Sequence, residues 1–321
     1  MKLRTLDAAG RITEAGAYID VPSTVYFSDP CPVPSLTQSI AKVLCDKTAL
    51  HAWHEHPCLG GSATDEGEPY NKVKAIGNAA HSILLGRGKS VAVLDYADFK
   101  TKGAQQSREE VESRGAVAIL KKHHDDALTL VAAVRNQVAS IKGCENAFAF
   151  GHGEVVLAAE IDGIWLRTMI DWMESPLILD DLKTTGMSVA PHGLGRMMAD
   201  AGWDIQAATQ ELILDTLDPE HAGRRKFRFF PVENNAPHAL VVAQLSEAVM
   251  TMGRKKLAYA MDVWRRCMAT GEWPAYPAEI VQPDYPGFKE TDWLNREIQY
   301  AEHNERKQTE RSTMLTSLAG G

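Results

Sequence analysis

Hydrophobic positions in the first half of the chain fall mostly at helical spacing. Leu36, Ile40, Val43 and Leu44 mark one amphipathic stretch, and Ser35 stands where an N-cap would, so residues 35–44 are predicted as a helix. The 30 or so residues before it show no clear period and suit a strand or arm. Residues 59–70, rich in Gly, Asp and Glu, read as a loop. A second helix is predicted over 72–85, with Gly77 and His81 four apart on one face. Gly86, Gly88 and Ser90 end it, and Val91 to Leu94 suits a short strand. A charged helix over 104–117 follows. Residues 125–141 predict an amphipathic helix with Leu128, Val131, Val134 and Val138 on one stripe.

The pattern changes after Gly143. Residues 154–159 and 164–172 alternate or run apolar on either side of Asp162-Gly163, a dipeptide that marks a tight hairpin. Leu177-Ile178-Leu179 leads a third strand. Beyond it come a helix over 194–217, strands over 227–230 and 239–244, and a long helix over 246–270. Met250, Met252, Met261 and Trp264 in that last helix suit a core. Strands interleaved with helices predict an α/β fold with a mixed central sheet flanked by helices. The tail from about His303 is polar and is expected to fray.

Composition narrows the class. Hydrophobic residues make up 45% and charged residues 24% of 321, which excludes wholesale disorder and fibrous repeats. No apolar run reaches the roughly 20 residues of a membrane helix, and no apolar signal core follows the N-terminus, so the chain reads as cytoplasmic. Five scattered cysteines, Cys31, Cys45, Cys58, Cys144 and Cys267, suit reduced thiols. With only Cys267 downstream, no iron-sulfur cluster is expected. A net charge of −8 speaks against a polyanionic partner, but only weakly. Net charge says little about where a local basic track lies, and such a track is enough to hold phosphates.

Phosphodiester hydrolysis needs an activated water, a clamp on the pentavalent oxygens and charge for the leaving alkoxide. Divalent ions held by carboxylate and carbonyl oxygens supply all three. A D/E-x-K triplet alone is a poor signal, since roughly two arise by chance in such a chain. Three occur: Asp98-Phe99-Lys100, Asp181-Leu182-Lys183 and Glu305-Arg306-Lys307. Of these, Asp181-Leu182-Lys183 ends an apolar strand directly after a hairpin bearing Glu160 and Asp171. Residues two apart in a strand share a face, so Asp181 and Lys183 project together and the Leu182 carbonyl stays available to a metal. The neighbouring Asp180 is expected as a solvated residue on the opposite face. The competing reading makes Asp171 and Asp181 ordinary strand-end acids paired with cations.

Residues 150–212 resemble the PD-(D/E)xK nuclease core of phage-type recombination exonucleases related to exodeoxyribonuclease VIII. Ser35 to Pro57, Gly77 to Leu85 and Asp95 to Val134 are similar to the same group as found in prophages. Ile76-Gly77-Asn78-Ala79-Ala80-His81 resembles the helix whose histidine sits beside the metals. Glu160 fits the upstream glutamate, and Leu166-Arg167 through Asp171 fits the strand ending in the first metal aspartate. Asp181-Leu182-Lys183-Thr184-Thr185 matches D-x-K-T-T, the most specific piece. Trp203-Asp204-Ile205-Gln206 resembles the following helix, whose glutamine faces the site. Gln210 departs from the pattern, which has tyrosine there.

The resemblance implies a restriction-endonuclease-like core over 71–302, with 1–70 as an N-terminal arm and helix of the same domain and 303–321 as the polar tail. It implies catalytic roles for Glu160, Asp171, Asp181, Lys183 and Gln206. The implied metal set is His81, Glu160, Asp171, Asp181 and the Leu182 carbonyl, holding one or two Mg²⁺, with Mn²⁺ as the alternative ion. The implied reaction is degradation of linear duplex DNA from its ends, 5′ to 3′, leaving 3′ overhangs for a single-strand annealing protein in recombination. A homo-oligomer is also implied. Arg167 and Lys74 are the candidates for gripping the 5′-phosphate. A structure-specific or nicking endonuclease, or a non-catalytic DNA-binding protein of the same fold, are the alternatives. Two rival clusters suit bland roles. His51, His54, His56 and Cys58 lack the spacing of a zinc site and fit a helix end and turn. His123-His124-Asp125-Asp126 fits a solvated helix start.

Overall fold

The computed structural model of the chain describes residues 1–60 and 70–319, and their side chains as far as residue 309. Most of the predicted loop over 59–70 therefore lies outside the described residues. The chain divides into two compact units, Met1–Ala275 and Tyr276–Gly321.

The larger unit runs through β1 (Leu3–Arg4), β2 (Gly16–Tyr18), α1 (Ser23–Phe27), β3 (Leu36–Thr37), α2 (Gln38–Asp46), α3 (Ala49–Glu55), α4 (Lys72–Leu85), β4 (Val91–Leu94) and α5 (Lys102–Ser113). It continues with β5 (Val117–Leu120), α6 (Lys121–Val138), β6 (His152–Ile161), β7 (Ile164–Ser175), β8 (Ile178–Thr185), α7 (Pro191–Ala201), α8 (Trp203–Leu217), β9 (Lys226–Glu233), β10 (Ala243–Gln244) and α9 (Glu247–Thr270). The smaller unit carries α10 (Gly287–Ala319).

The strands order as β1-β2-β6-β7-β8-β9-β10, with β3 parallel to the start of β7. Strands β6, β7 and β8 form an antiparallel meander, whereas β9 lies parallel to β8, so the sheet is mixed. A parallel neighbour requires a crossover, and α7 and α8 supply it. The hairpin turns at Asp162 and Gly163 with φ of 50° and 76°, the positive pair that a two-residue turn demands.

Helices cover both faces. Alternating Val155, Leu157 and Ala159 join Leu36, Leu179 and Phe229 beneath α2, α8 and α9, where Ile205, Leu257 and Trp264 close the layer. On the other face Leu182, Phe230 and Val232 pack against α4 and α6 through Ala80, Leu130 and Val134. Each fully buried Leu, Val or Phe contributes roughly 1.5–3 kcal/mol, so both layers hold the sheet firmly.

Several local expectations are corrected. Thr37, not Ser35, caps α2: its Oγ1 accepts the Ile40 N–H at 3.3 Å. Ser35 is drawn inward, donating to Asp29 and accepting from Arg167. The helix over 194–217 breaks at Gly202, whose φ of 75° ends α7 and starts α8. On α6 the buried stripe is Ala127, Leu130, Val131, Val134 and Val138, and Leu128 is exposed, because the packing face lies about one residue round from the predicted one. His123 is buried and bonded to the Tyr70 hydroxyl at 2.7 Å, not solvated. Met250, Met261 and Trp264 are core, but Met252 is half exposed. Helix α10 continues through His303 to Ala319, where a fraying tail was expected. Among the described residues no helix is long and apolar enough to cross a membrane.

Candidate active site

The predicted centre forms on β7 and β8. Pairing of Trp172 with Asp180 and of Met173 with Leu179 sets Asp171 across from Asp181. The Leu182 N–H donates to Asp171 Oδ2 at 3.1 Å and ties the two strands at this point. Lys183 Nζ lies 2.7 Å from Asp181 Oδ1 and donates to Gln206 Oε1 at 3.0 Å. Gln206 Nε2 in turn donates to Asp181 Oδ2, so the three side chains close a ring.

Two close packings bring the helices to this centre. Helix α8 lies over the sheet through the stack of Trp203 on Phe229, with centroids 5.0 Å apart, and this delivers Gln206. Helix α4 approaches from the opposite face at Gly77, where any Cβ would collide with Thr184 Oγ1. One turn on, His81 Nε2 donates to the Leu182 carbonyl at 2.7 Å and stands 3.5 Å from Asp171 Oδ2.

The electrostatics are uneven. Burial, and then the facing Asp181, lift the Asp171 carboxyl to about 6, although His81, Lys183 and the Leu182 N–H pull the other way. Burial works against the Lys183 ammonium, but Asp181 and Asp171 more than offset it and hold its pKa above the usual lysine value. Lys183 is thus a standing cation and hydrogen-bond donor.

Hard divalent ions fit this donor set. Asp181 Oδ1 is buried, with the ammonium beside it but no aligned hydrogen bond, and the adjacent carboxylates destabilise each other. Two facing carboxylates and a main-chain carbonyl are the oxygen ligands that Mg²⁺ or Mn²⁺ accept. A cation taking the Leu182 carbonyl would compete with the His81 hydrogen bond.

Glu160 does not join the site. It is exposed and pairs with Trp165 near the hairpin turn, about 20 Å along the strand from Asp171 at the usual strand rise. The rung opposite Asp171, between the pairs Gly153–Trp172 and Val155–Ile170, belongs to Glu154. Burial pushes the Glu154 carboxyl up, with His81 and Arg87 drawing it back down. Glu154, whose φ of 52° interrupts the ladder there, is an acid beside His81 that sequence reasoning did not single out.

Other expectations also move. Asp180 is not solvated: it is fully buried, and Arg228 binds its two oxygens at 2.5 and 2.7 Å while reaching Glu174 at 2.6 Å. Arg167 does not face the site. It is buried between Ser35, Asp29 and the Tyr26 carbonyl, so it cannot grip a phosphate, whereas Lys74 is exposed on α4. Gln210 donates to the Met169 carbonyl and faces the interior. Asp29, His56 and Cys58 have ligand atoms within 4.8 Å of one another, but Arg167 stands 3.4 Å from Asp29 and already occupies the place of a cation.

The family described as a PDDEXK-like domain of unknown function (DUF3799) matches residues 62–282. The chain belongs to this family. A solved structure from Eubacterium rectale, described as a "Putative exonuclease", aligns with a TM-score of 0.50 at 12% identity, covering 80% of this chain and 93% of that one. At that identity the likeness speaks for the fold, which is the mixed α/β core of the PDDEXK class. No curated protein matches the chain. In this PDDEXK-like domain the matched segment spans α4, the meander and α8, the elements that carry His81, Glu154, Asp171, Asp181, Lys183 and Gln206.

Proposed function

We propose that this PDDEXK-like protein is a metal-dependent DNA nuclease that hydrolyses the phosphodiester bonds of linear duplex DNA from an end. The observation that carries the reading is the facing pair Asp171 and Asp181 with Lys183 fixed beside them by Gln206. Non-catalytic DNA binding would not require two acids held at mutual cost.

Asp171, Asp181 and the Leu182 carbonyl would hold the ion, with His81 and Glu154 next to them. When bound, a divalent cation lowers the pKa of its water and neutralises charge on the phosphate. Lys183, kept protonated, donates to the attacking water and offsets the charge that develops on the phosphoryl oxygens. Gln206 holds both Lys183 and Asp181, so the donor and the acid keep one geometry. Glu154 and His81 border the centre on the α4 side and position the strand and its water.

Polarity from 5′ to 3′, 3′ overhangs handed to a single-strand annealing protein in recombination, and a homo-oligomeric state extend this reading on the family resemblance. The test is degradation of linear and covalently closed circular duplex DNA with Mg²⁺, with EDTA, and with Asp181→Ala. Loss of linear DNA alone, abolished by EDTA and by the substitution, is the expected result. Cutting of the closed circle would make the enzyme an endonuclease, and an active Asp181→Ala variant would sink the site.

A further inference from the structure

Helix α4 ends at Gly86 in the left-handed conformation, and the chain turns through Arg87 and Gly88 before β4. Facing this turn is the segment from Asp20 to Ser23, which leads from β2 into the start of α1. A cleft of about 250 Å³ lies between them, and Glu154 and Gly153 form part of its wall. Because Glu154 sits at the break in the β6–β7 ladder between the pairs that flank Asp171, within electrostatic reach of His81, the cleft adjoins the Asp171–Asp181 centre.

The backbone around the cleft is unusual. Asp20 and Glu154 hold φ of 58° and 52°, and Gly86 and Gly88 hold 62° and 98°. Only a few per cent of non-glycine residues adopt positive φ, and such strain gathers where a ligand is clamped. Gly88 is pressed so close to Glu154 that a Cβ would collide with its carboxylate. The turn is therefore built against the centre.

Arg87 is the cation on this turn. Its guanidinium pairs with Asp20 across the cleft while the two side chains remain 48% and 55% exposed. An exposed ion pair of this kind is weak and easily exchanged. A guanidinium binds phosphate through two parallel hydrogen bonds, so a phosphate can replace the carboxylate one for one. Lys89, two residues further along the same connection, is a second cation and lies 5.6 Å from the Phe27 ring.

We propose that Arg87 clamps a backbone phosphate of the DNA strand entering the Asp171–Asp181 centre, and that Asp20 holds the guanidinium ready until the phosphate displaces it. The inference rests on the nuclease reading. It gives opposite signs for the two partners of one ion pair, which a structural brace would not.

The experiment is fluorescence anisotropy of a labelled blunt duplex in EDTA, where nothing is cleaved, with thermal midpoints measured alongside. Arg87→Ala is expected to weaken binding about tenfold, the worth of one charge-assisted contact. It should also reduce the slope of log affinity against log salt by about one. Arg87→Lys should recover part of the loss, and Asp20→Asn should tighten binding. Unchanged affinity in Arg87→Ala overturns the proposal. So does equal weakening by Asp20→Asn with both midpoints lowered, since that marks a brace. If the wild-type protein neither binds duplex DNA nor degrades it with Mg²⁺, the nuclease reading falls and takes the clamp with it. If it binds and Asp181→Ala abolishes cleavage while Arg87→Ala changes nothing, the clamp alone is wrong.

Discussion

Asp171 and Asp181 face each other across the β7–β8 pair, and burial together with this opposition lifts Asp171 to about 6. A carboxyl whose folded pKa is raised binds its proton more tightly in the folded state. Its contribution to stability is complete below the ordinary carboxylate range and is lost as pH rises through about 6. At neutral pH the ionised Asp171 carboxylate therefore opposes folding. Asp171→Asn should remove nuclease activity and yet stabilise the metal-free protein at pH 7.5 by on the order of 1–3 kcal/mol. Melts at pH 4 should show no such gain. A lower midpoint for the variant at pH 7.5 would contradict the linkage.

The same opposition makes a cation a folding ligand. Mg²⁺ at millimolar concentration should raise the thermal midpoint of the wild type at pH 7.5, because ligands that bind only the folded state stabilise it. Chelation should reverse the shift. The double variant Asp171→Asn/Asp181→Asn should lose the response, and a shift that persists there would place the ion elsewhere.

Glu154 and Glu160 separate two readings of the meander. Glu154→Gln should lower the turnover rate by at least tenfold, while Glu160→Gln, near the hairpin turn and in solvent, should leave turnover and stability within error. Steady-state rates on linear duplex decide it. Equal losses from both, or a loss from Glu160→Gln alone, would return the upstream acid to position 160.

Arg228 makes Asp180 a structural residue. Asp180→Ala leaves a buried guanidinium with Glu174 as its remaining acidic partner and should destabilise the fold by about 3–5 kcal/mol. Denaturant unfolding measures this directly. A change below 1 kcal/mol would mean that the pair is not buried as described.

Much of this molecule was legible in the residues. Helix α4 was bounded from its pattern and its closing Gly86, and the meander from alternation around Asp162-Gly163. Asp171, Asp181, Lys183, Gln206 and His81 do converge, because strand parity and one helical turn are short-range rules. Glu154 was missed although the signal was present. A two-residue turn pairs 161 with 164, and counting outward along the ladder puts 154 beside 171. Burial was the less legible property. Nothing in the local sequence around Arg167 or Asp180 discloses Asp29 or Arg228, which reach them only through the tertiary fold. Thr37 outcompeted Ser35 as a cap for the same reason, since Asp29 and Arg167 had already claimed the Ser35 hydroxyl.

The doublet Asp180-Asp181 has a consequence for how β8 can lie. Consecutive residues of a strand point to opposite faces, so identical acids here have opposite fates, one bound by Arg228 and one by Lys183. Sliding the strand by one residue would still offer an aspartate at one of the two places, but it would turn Leu182 toward the polar centre and Lys183 into the apolar layer under α4. Leu182 and Lys183 thus set the frame that the doublet alone leaves open. Together they admit a single alignment of β8, and the apolar residue between Asp181 and Lys183 keeps both turned toward the centre.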